Sequence, residues 1–133
     1  MQRKAQPLSV PFEFAVGRGS LLIRVRVNRQ AALLIVDTGS SHTILRPSAA
    51  GVNSSELALP RAEGGVIGDA LGQEVTLEVG AQVWRRRRIA VMDLSAVLSA
   101  YQERVDGVLG IDFLLEFSQT VIDLKERRIT FTP

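Results

Sequence analysis

The chain contains no cysteine. Disulfides and thiolate-held metals are therefore excluded. A reducing cytosol and a periplasm both tolerate such a chain, so the absence does not choose a compartment. There is a single histidine, His42. A histidine metal cluster or a Ser-His triad thus lacks partners elsewhere, and His42 reads as a loop residue near a cleft. No apolar run approaches the ~20 residues of a membrane-spanning helix. The opening residues MQRKAQP lack the apolar core of a signal peptide, and residues 1–7 read as a flexible tail. Aromatics make up 5% of the chain, and only Trp84 stands near the main basic run. A nucleic-acid site would need interleaved stacking side chains and a larger basic surface. The net charge of +2 is too small to imply a polyanion partner, although fourteen arginines against two lysines raise the pI to 9.7. Repeats and linkers are missing too, and 133 residues suit one domain, spanning 8–133 after the tail.

What the chain does have is a period of two. The segments FEFAV (12–16), LLIRVRVN (21–28), AALLIVD (31–37), EVTLEV (74–79), RRIAVMD (87–93) and RRITF (127–131) read as strands. Ile23, Val25 and Val27 alternate with Arg24 and Arg26, which gives that strand one wet face. Turn residues predict hairpins over 21–37, around VGAQ (79–82) and around DLKER (123–127). Helix signals are few. DLSAVLSAYQER (93–104) begins with an Asp that can cap a turn or two, and IDFLLEFS (111–118) suits one short helix. Residues 46–56 read as loop. The fold class is all-β, a small barrel or sandwich with one short helix.

LLIVDTGSSHTIL (33–45) places Asp37 at the end of a greasy strand. A carboxylate there loses hydration, which disfavours its charged form. The Thr38 hydroxyl can pin the loop to backbone groups. Gly39, lacking a Cβ, allows a sharp turn and brings its amide near the carboxylate. Ser40 offers a further donor, which favours the charged form again. Asp-Thr-Gly-Ser is equally good turn chemistry, so the tetrapeptide alone leaves a plain turn and a tuned carboxylate both open.

Two motifs together resolve the choice. Asp37-Thr38-Gly39-Ser40-Ser41 with TIL following resembles the active-site loop of aspartic proteases. VDGVLGIDFL (105–114) resembles that family's hydrophobic-hydrophobic-Gly element, here Val108, Leu109 and Gly110, followed by a short helix. The resemblance spans residues 10 to 131. Only one Asp-Thr-Gly is present: Asp69, Asp93, Asp106, Asp112 and Asp123 start no second such loop. The chain therefore resembles the single-lobe, retropepsin-like branch, especially its bacterial members with DTGSS and GIDFL. The resemblance implies a closed pepsin/retropepsin-like barrel of one lobe with one short helix near the C-terminus. It implies aspartic endopeptidase activity on peptide or protein substrates, with no metal or cofactor. It also implies a homodimer whose second copy supplies the second Asp37.

Several roles follow from the resemblance alone. Asp37, Thr38 and Gly39 would be catalytic, supported by Ser40, Val108, Leu109 and Gly110. A Ser40 hydroxyl on the carboxylate would make the pH optimum more acidic than with Ala there. The glycine-rich hairpin at 61–73 would be the substrate flap, through Gly64, Gly65, Val66, Ile67 and Gly68, with EGGV and DALGQ both able to form its turn. The chain ends, 8–14 and 127–133, would build the dimer sheet. WRRRR (84–88) puts arginine on both faces of a strand and reads as an exposed edge. Two other readings compete: a non-catalytic retropepsin-like module for dimerisation or peptide binding, and a basic barrel holding nucleic acid through Arg85 to Arg88.

Overall fold

The computed structural model describes residues 6–55, the backbone of 66–67, and residues 70–133. Eleven strands and three single-turn helices make it up: β1 (Leu8–Pro11), β2 (Glu13–Phe14), β3 (Leu21–Val27), β4 (Gln30–Val36), β5 (Ile44–Leu45), α1 (Pro47–Ala50), β6 (Val66–Ile67), β7 (Ala70–Val79), β8 (Gln82–Val91), α2 (Ser95–Leu98), β9 (Gly107–Leu109), α3 (Ile111–Leu114), β10 (Gln119–Asp123) and β11 (Arg128–Thr132). Six strands close a barrel in the order β3-β4-β9-β5-β8-β7, and β7 returns to β3 through Arg26↔Glu78 and Val27↔Leu77. The expected all-β single-lobe barrel is what forms.

The period-two pattern does what it should. Ile23, Val25 and Val27 point into the barrel and are buried, whereas Arg24 and Arg26 face solvent. The β3–β4 hairpin turns on Asn28 and Arg29, both at positive φ (49° and 69°), as a tight two-residue hairpin requires. Asn28 tolerates that conformation. Its amide donates to Thr76 O, and its side-chain oxygen accepts from the Thr76 amide, which seams the turn to β7 where the barrel closes.

Two apolar clusters hold the fold. The larger fills the barrel and extends to Phe113, Ile129 and Phe131. The smaller lies outside it, where Leu22, Leu33 and Ile35 are covered by Leu98 and Val105, with Leu94 and Tyr101 alongside. The segment after β8 thus roofs the outer face of β3 and β4. That is why Leu22 is fully buried although it points away from Ile23.

Two expectations change in part, at the helices and at Arg87. Among the described residues there are three one-turn helices, of which α3 is the one expected near the C-terminus. α1 lies in the stretch read as loop, although Pro47 at its first turn and Gly51 in the left-handed conformation behind it are ordinary start and stop signals. WRRRR is exposed as expected at Arg85, Arg86 and Arg88, and among the described strands residues 84–88 pair with β7 alone, since β5 meets β8 only at Ala90 and Val91. The β7–β8 register jumps from Val75↔Arg87 to Leu77↔Trp84, a bulge at which Arg86 adopts φ 56°. Arg85 and Arg86 are exposed there, whereas Arg87 turns in over the Phe113 ring and pairs with Glu116. The chain ends, expected to build a dimer sheet, also pair with each other within the protomer. β1, β11 and β10 form a three-stranded sheet in that order, whose inner side buries Leu8, Val10, Ile129 and Phe131. Residues 1–5 of the expected tail lie outside the described residues.

Candidate active site

β4 delivers Asp37. Its last residue, Val36, pairs in parallel with Leu109 of β9, and the Asp37 amide donates to Leu109 O at 3.0 Å. The chain then loops through 38–43 and returns as β5 on the other side of β9, where Ile44 pairs antiparallel with Val108. β9 is therefore threaded between the strand that enters the Asp37 loop and the strand that leaves it. Val108 of β9 is half-buried, and Leu109 is buried in the barrel.

Glycine at both ends of β9 permits this threading. A β-carbon on Gly110 would lie 2.9 Å from Ser40 O and closer still to the His42 carbonyl. The backbone of Gly110 is extended (φ −95°) and open to any residue, so glycine is needed there for space. The Ile111 amide then donates to Ser40 O at 2.8 Å, which straps the Asp37 loop to α3.

Within the loop, the Gly39 amide donates to Asp37 Oδ1 at 2.8 Å and the Ser40 amide to Asp37 O at 3.2 Å. Asp37, Thr38 and Gly39 are exposed in the protomer. The desolvation expected of a strand-end carboxylate is therefore not supplied by the carboxylate's own chain. Ser40 also departs from expectation. Its hydroxyl donates to His42 O at 2.7 Å rather than to the carboxylate, which removes the basis for a Ser40-driven acidic optimum. The ring Nδ1 of His42 lies 2.8 Å from Ser41 Oγ.

The hairpin named as a flap is paired where Val66 meets Leu71 and Ile67 meets Ala70. Gly64, Gly65 and Gly68 lie outside the described residues, as does the EGG of the first candidate turn. The second, DALGQ, is displaced: Ala70 to Gln73 belong to β7. Among the described residues, no group of three or more acidic or histidine side chains is gathered as a metal site would need.

Two buried polar residues among those described, Thr43 and Asp106, were not singled out in the sequence as site residues. Thr43 Oγ1 donates to Asp112 Oδ1 at 2.8 Å and accepts from the Gly110 amide at 3.1 Å. At the far end of β9, Asp106 accepts from the Leu33 amide through Oδ2 and from Arg46 through Oδ1 (Nε 2.9 Å, Nη2 2.7 Å). Its backbone also exchanges bonds with Leu33 O and the Arg46 amide. A lone Asp before glycine and a lone Arg after TIL carry no local signature of such a pairing.

Residues 23–113, more than half of the chain, match the family described as aspartyl protease. The chain belongs to that family. Among solved structures it is similar to a retropepsin-like aspartic protease from Rickettsia conorii, at 17% identity over 98% of this chain and 96% of that one, with a TM-score of 0.61. It is also similar to the retroviral protease-like domain of Ddi1 from Leishmania major, at 18% identity over 84% and 87%, with a TM-score of 0.53. Basic 7S globulin from soybean shares the fold over 95% of this chain but only 42% of its own length, at 18% identity and a TM-score of 0.53. No curated protein matches. These likenesses establish a retropepsin-like fold for this aspartyl protease family member.

Proposed function

We propose that the chain, as a single domain over 8–133, is an aspartic endopeptidase completed by a second copy of itself. The observation that carries this reading is the Asp37 carboxylate. It is exposed at the end of a barrel strand and is held by its own loop amide, on a loop strapped to β9 and α3. One such carboxylate per chain suits a twofold axis that brings two loops together.

Two facing carboxylates do not ionise together readily, so the pair holds one proton at moderately acidic pH. The ionised member takes a proton from a bound water, and the water oxygen attacks the scissile carbonyl carbon. The protonated member hydrogen-bonds the carbonyl oxygen and donates its proton as the tetrahedral gem-diol forms. A proton then passes to the leaving nitrogen as the C–N bond breaks. The titration belongs to the pair rather than to either copy. Thr38 and Gly39 shape the loop, and Ser40, Val108, Leu109 and Gly110 back it. The hairpin through Val66 and Ile67 covers the substrate strand, with Gly64, Gly65 and Gly68 allowing close backbone approach.

The second copy has an edge to join. β10 ends the terminal sheet, and its far side pairs with no described strand. It exposes Val121 (45%) and Ile122 (44%), which favours burial against another strand.

The deciding experiment incubates the native chain and Asp37→Asn with a diverse peptide mixture from about pH 3 to about pH 7, read by mass spectrometry. Cleavage by the native chain alone supports the proposal. Cleavage by both, or by neither in a sample shown to be dimeric, sinks it and leaves the peptide-binding or dimerisation module.

A further inference from the structure

We propose that Thr43 and Asp112 are positioning residues that set the Asp37 loop. Thr43 is the last residue of the loop, and only 1% of it is exposed. A hydroxyl buried that deeply has to be satisfied by protein groups. Both of its partners lie across β9 on the other motif: Thr43 Oγ1 gives its proton to Asp112 Oδ1 and receives the Gly110 amide. Asp112 Oδ1 in turn accepts the Phe113 amide at 2.9 Å, which fixes the carboxylate to the first turn of α3. One hydroxyl therefore joins the loop that carries Asp37 to the glycine it crosses and to the helix behind it.

The other straps depend on that join. Ile111, next to Asp112, donates to Ser40 O; Ser40 in turn donates its amide to Asp37 O and its hydroxyl to His42 O. Moving α3 relative to Thr43 pulls on Ser40 and so on the turn in which the Gly39 amide meets the Asp37 carboxylate. Thr43 and Asp112 touch no reacting atom in this scheme. They act by holding the carboxylate's own donor in place.

The chemistry predicts which substitutions are tolerated. Thr43→Val keeps the shape but leaves the Gly110 amide unpartnered and Asp112 Oδ1 with the Phe113 amide alone. Thr43→Ser restores the hydroxyl. Asp112→Asn keeps an oxygen that accepts from both Thr43 and Phe113, whereas Asp112→Ala removes it. Valine at 43 and alanine at 112 should therefore fail alike, with serine and asparagine close to native.

The kinetic arm rests on the endopeptidase reading, and the exchange arm does not. By NMR, amide exchange at Gly39, Ser40 and Ile111 is expected to quicken at least about tenfold in Thr43→Val and Asp112→Ala, with β3 and β4 amides unchanged. A loss of overall stability would instead quicken all of them together. In peptide cleavage well below the unfolding temperature, kcat is expected to fall on the order of 10- to 100-fold with KM within about twofold of native. If Thr43→Val fails to fold, Asp112→Ala carries both arms. Native-like exchange at Gly39, Ser40 and Ile111, or unchanged kcat with a loosened loop, overturns the proposal. A native chain that cleaves nothing counts against the endopeptidase reading, and the exchange arm then decides the positioning alone.

Discussion

Gly107 and Leu45 are packed backbone to backbone: a β-carbon on Gly107 would lie 3.0 Å from Leu45 Cα, and closer still to the Ile44 carbonyl oxygen. The contact draws β5 against β9, and so brings the end of the Asp37 loop back to the strand it encircles. Gly107 is not at a left-handed φ, so the requirement is for space.

Gly107→Ala should therefore be among the most damaging single substitutions. The obstacle is backbone, which cannot swing aside as a long side chain can. The expected cost is about 3 kcal/mol or more, at the upper end for overpacking. Urea denaturation of the purified variant measures it, and a midpoint indistinguishable from native would show that β5 and β9 separate easily.

A different cost attaches to Asp106. It is buried and receives the Leu33 amide and the Arg46 guanidinium, so it ties β4 and the end of β5 to the start of β9. Asp106→Ala strands a half-buried guanidinium and an amide at once. The expected loss is about 3 kcal/mol, since removing one member of a buried pair leaves the other uncompensated. Replacing Arg46 by Met in the same chain should recover part of it. Equal stability of the single and double variants would mean that the pair is solvated in solution.

The barrel was legible because its strands alternate in the ordinary way, as Ile23, Val25 and Val27 do against Arg24 and Arg26. The two motifs were legible because they are local runs. Arg87 alone departs from the exposure expected of the arginine run, and for a physical reason. Period two holds only while the register holds, and the bulge at Arg86 shifts it, so that Arg87 turns inward to Phe113 and Glu116. Nothing local announces that shift. Ser40 also departs from expectation: a hydroxyl next to a carboxylate loop has several acceptors within reach, and the one it takes, His42 O, depends on how the loop closes over Gly110. Thr43 and Asp112, 69 residues apart, are joined only by the threading of β9.

Asp93 provides a test by pH. The Ser95 hydroxyl and then the Ser95 amide, bonding its carboxylate, hold it below its ordinary value of 3.8. A carboxylate depressed in the folded state contributes its stabilisation above the unfolded value. That contribution is lost as pH falls through the lower, folded value. The first turn of α2 should accordingly loosen only below pH 3.8. NMR titration should find the Asp93 midpoint below 3.8, and Ser95→Ala should move it upward. An unchanged midpoint in that variant would assign the shift to some other group.

In the proposed dimer, the edge of β10 is where the second copy would join. Within one protomer Ile122 sits opposite Ile129, which is fully buried, yet Ile122 remains 44% exposed because nothing described lies beyond it in the sheet. Val121, on the other face, pairs with Thr130 in the same position of overhang. A strand with apolar side chains exposed on both faces and a free hydrogen-bonding edge is unusual in a monomer, where charges or proline normally guard it. Val121→Lys places a charge on that edge without entering the barrel core. It is expected to leave the circular dichroism spectrum native-like, because the barrel core is untouched. In sedimentation equilibrium it should shift a native dimer to monomer, and cleavage should fall with the dimer. If native and variant chains sediment alike as dimers, the copies meet elsewhere. If native chain sediments as a monomer at every concentration yet cleaves peptide, the second carboxylate is not that of another Asp37.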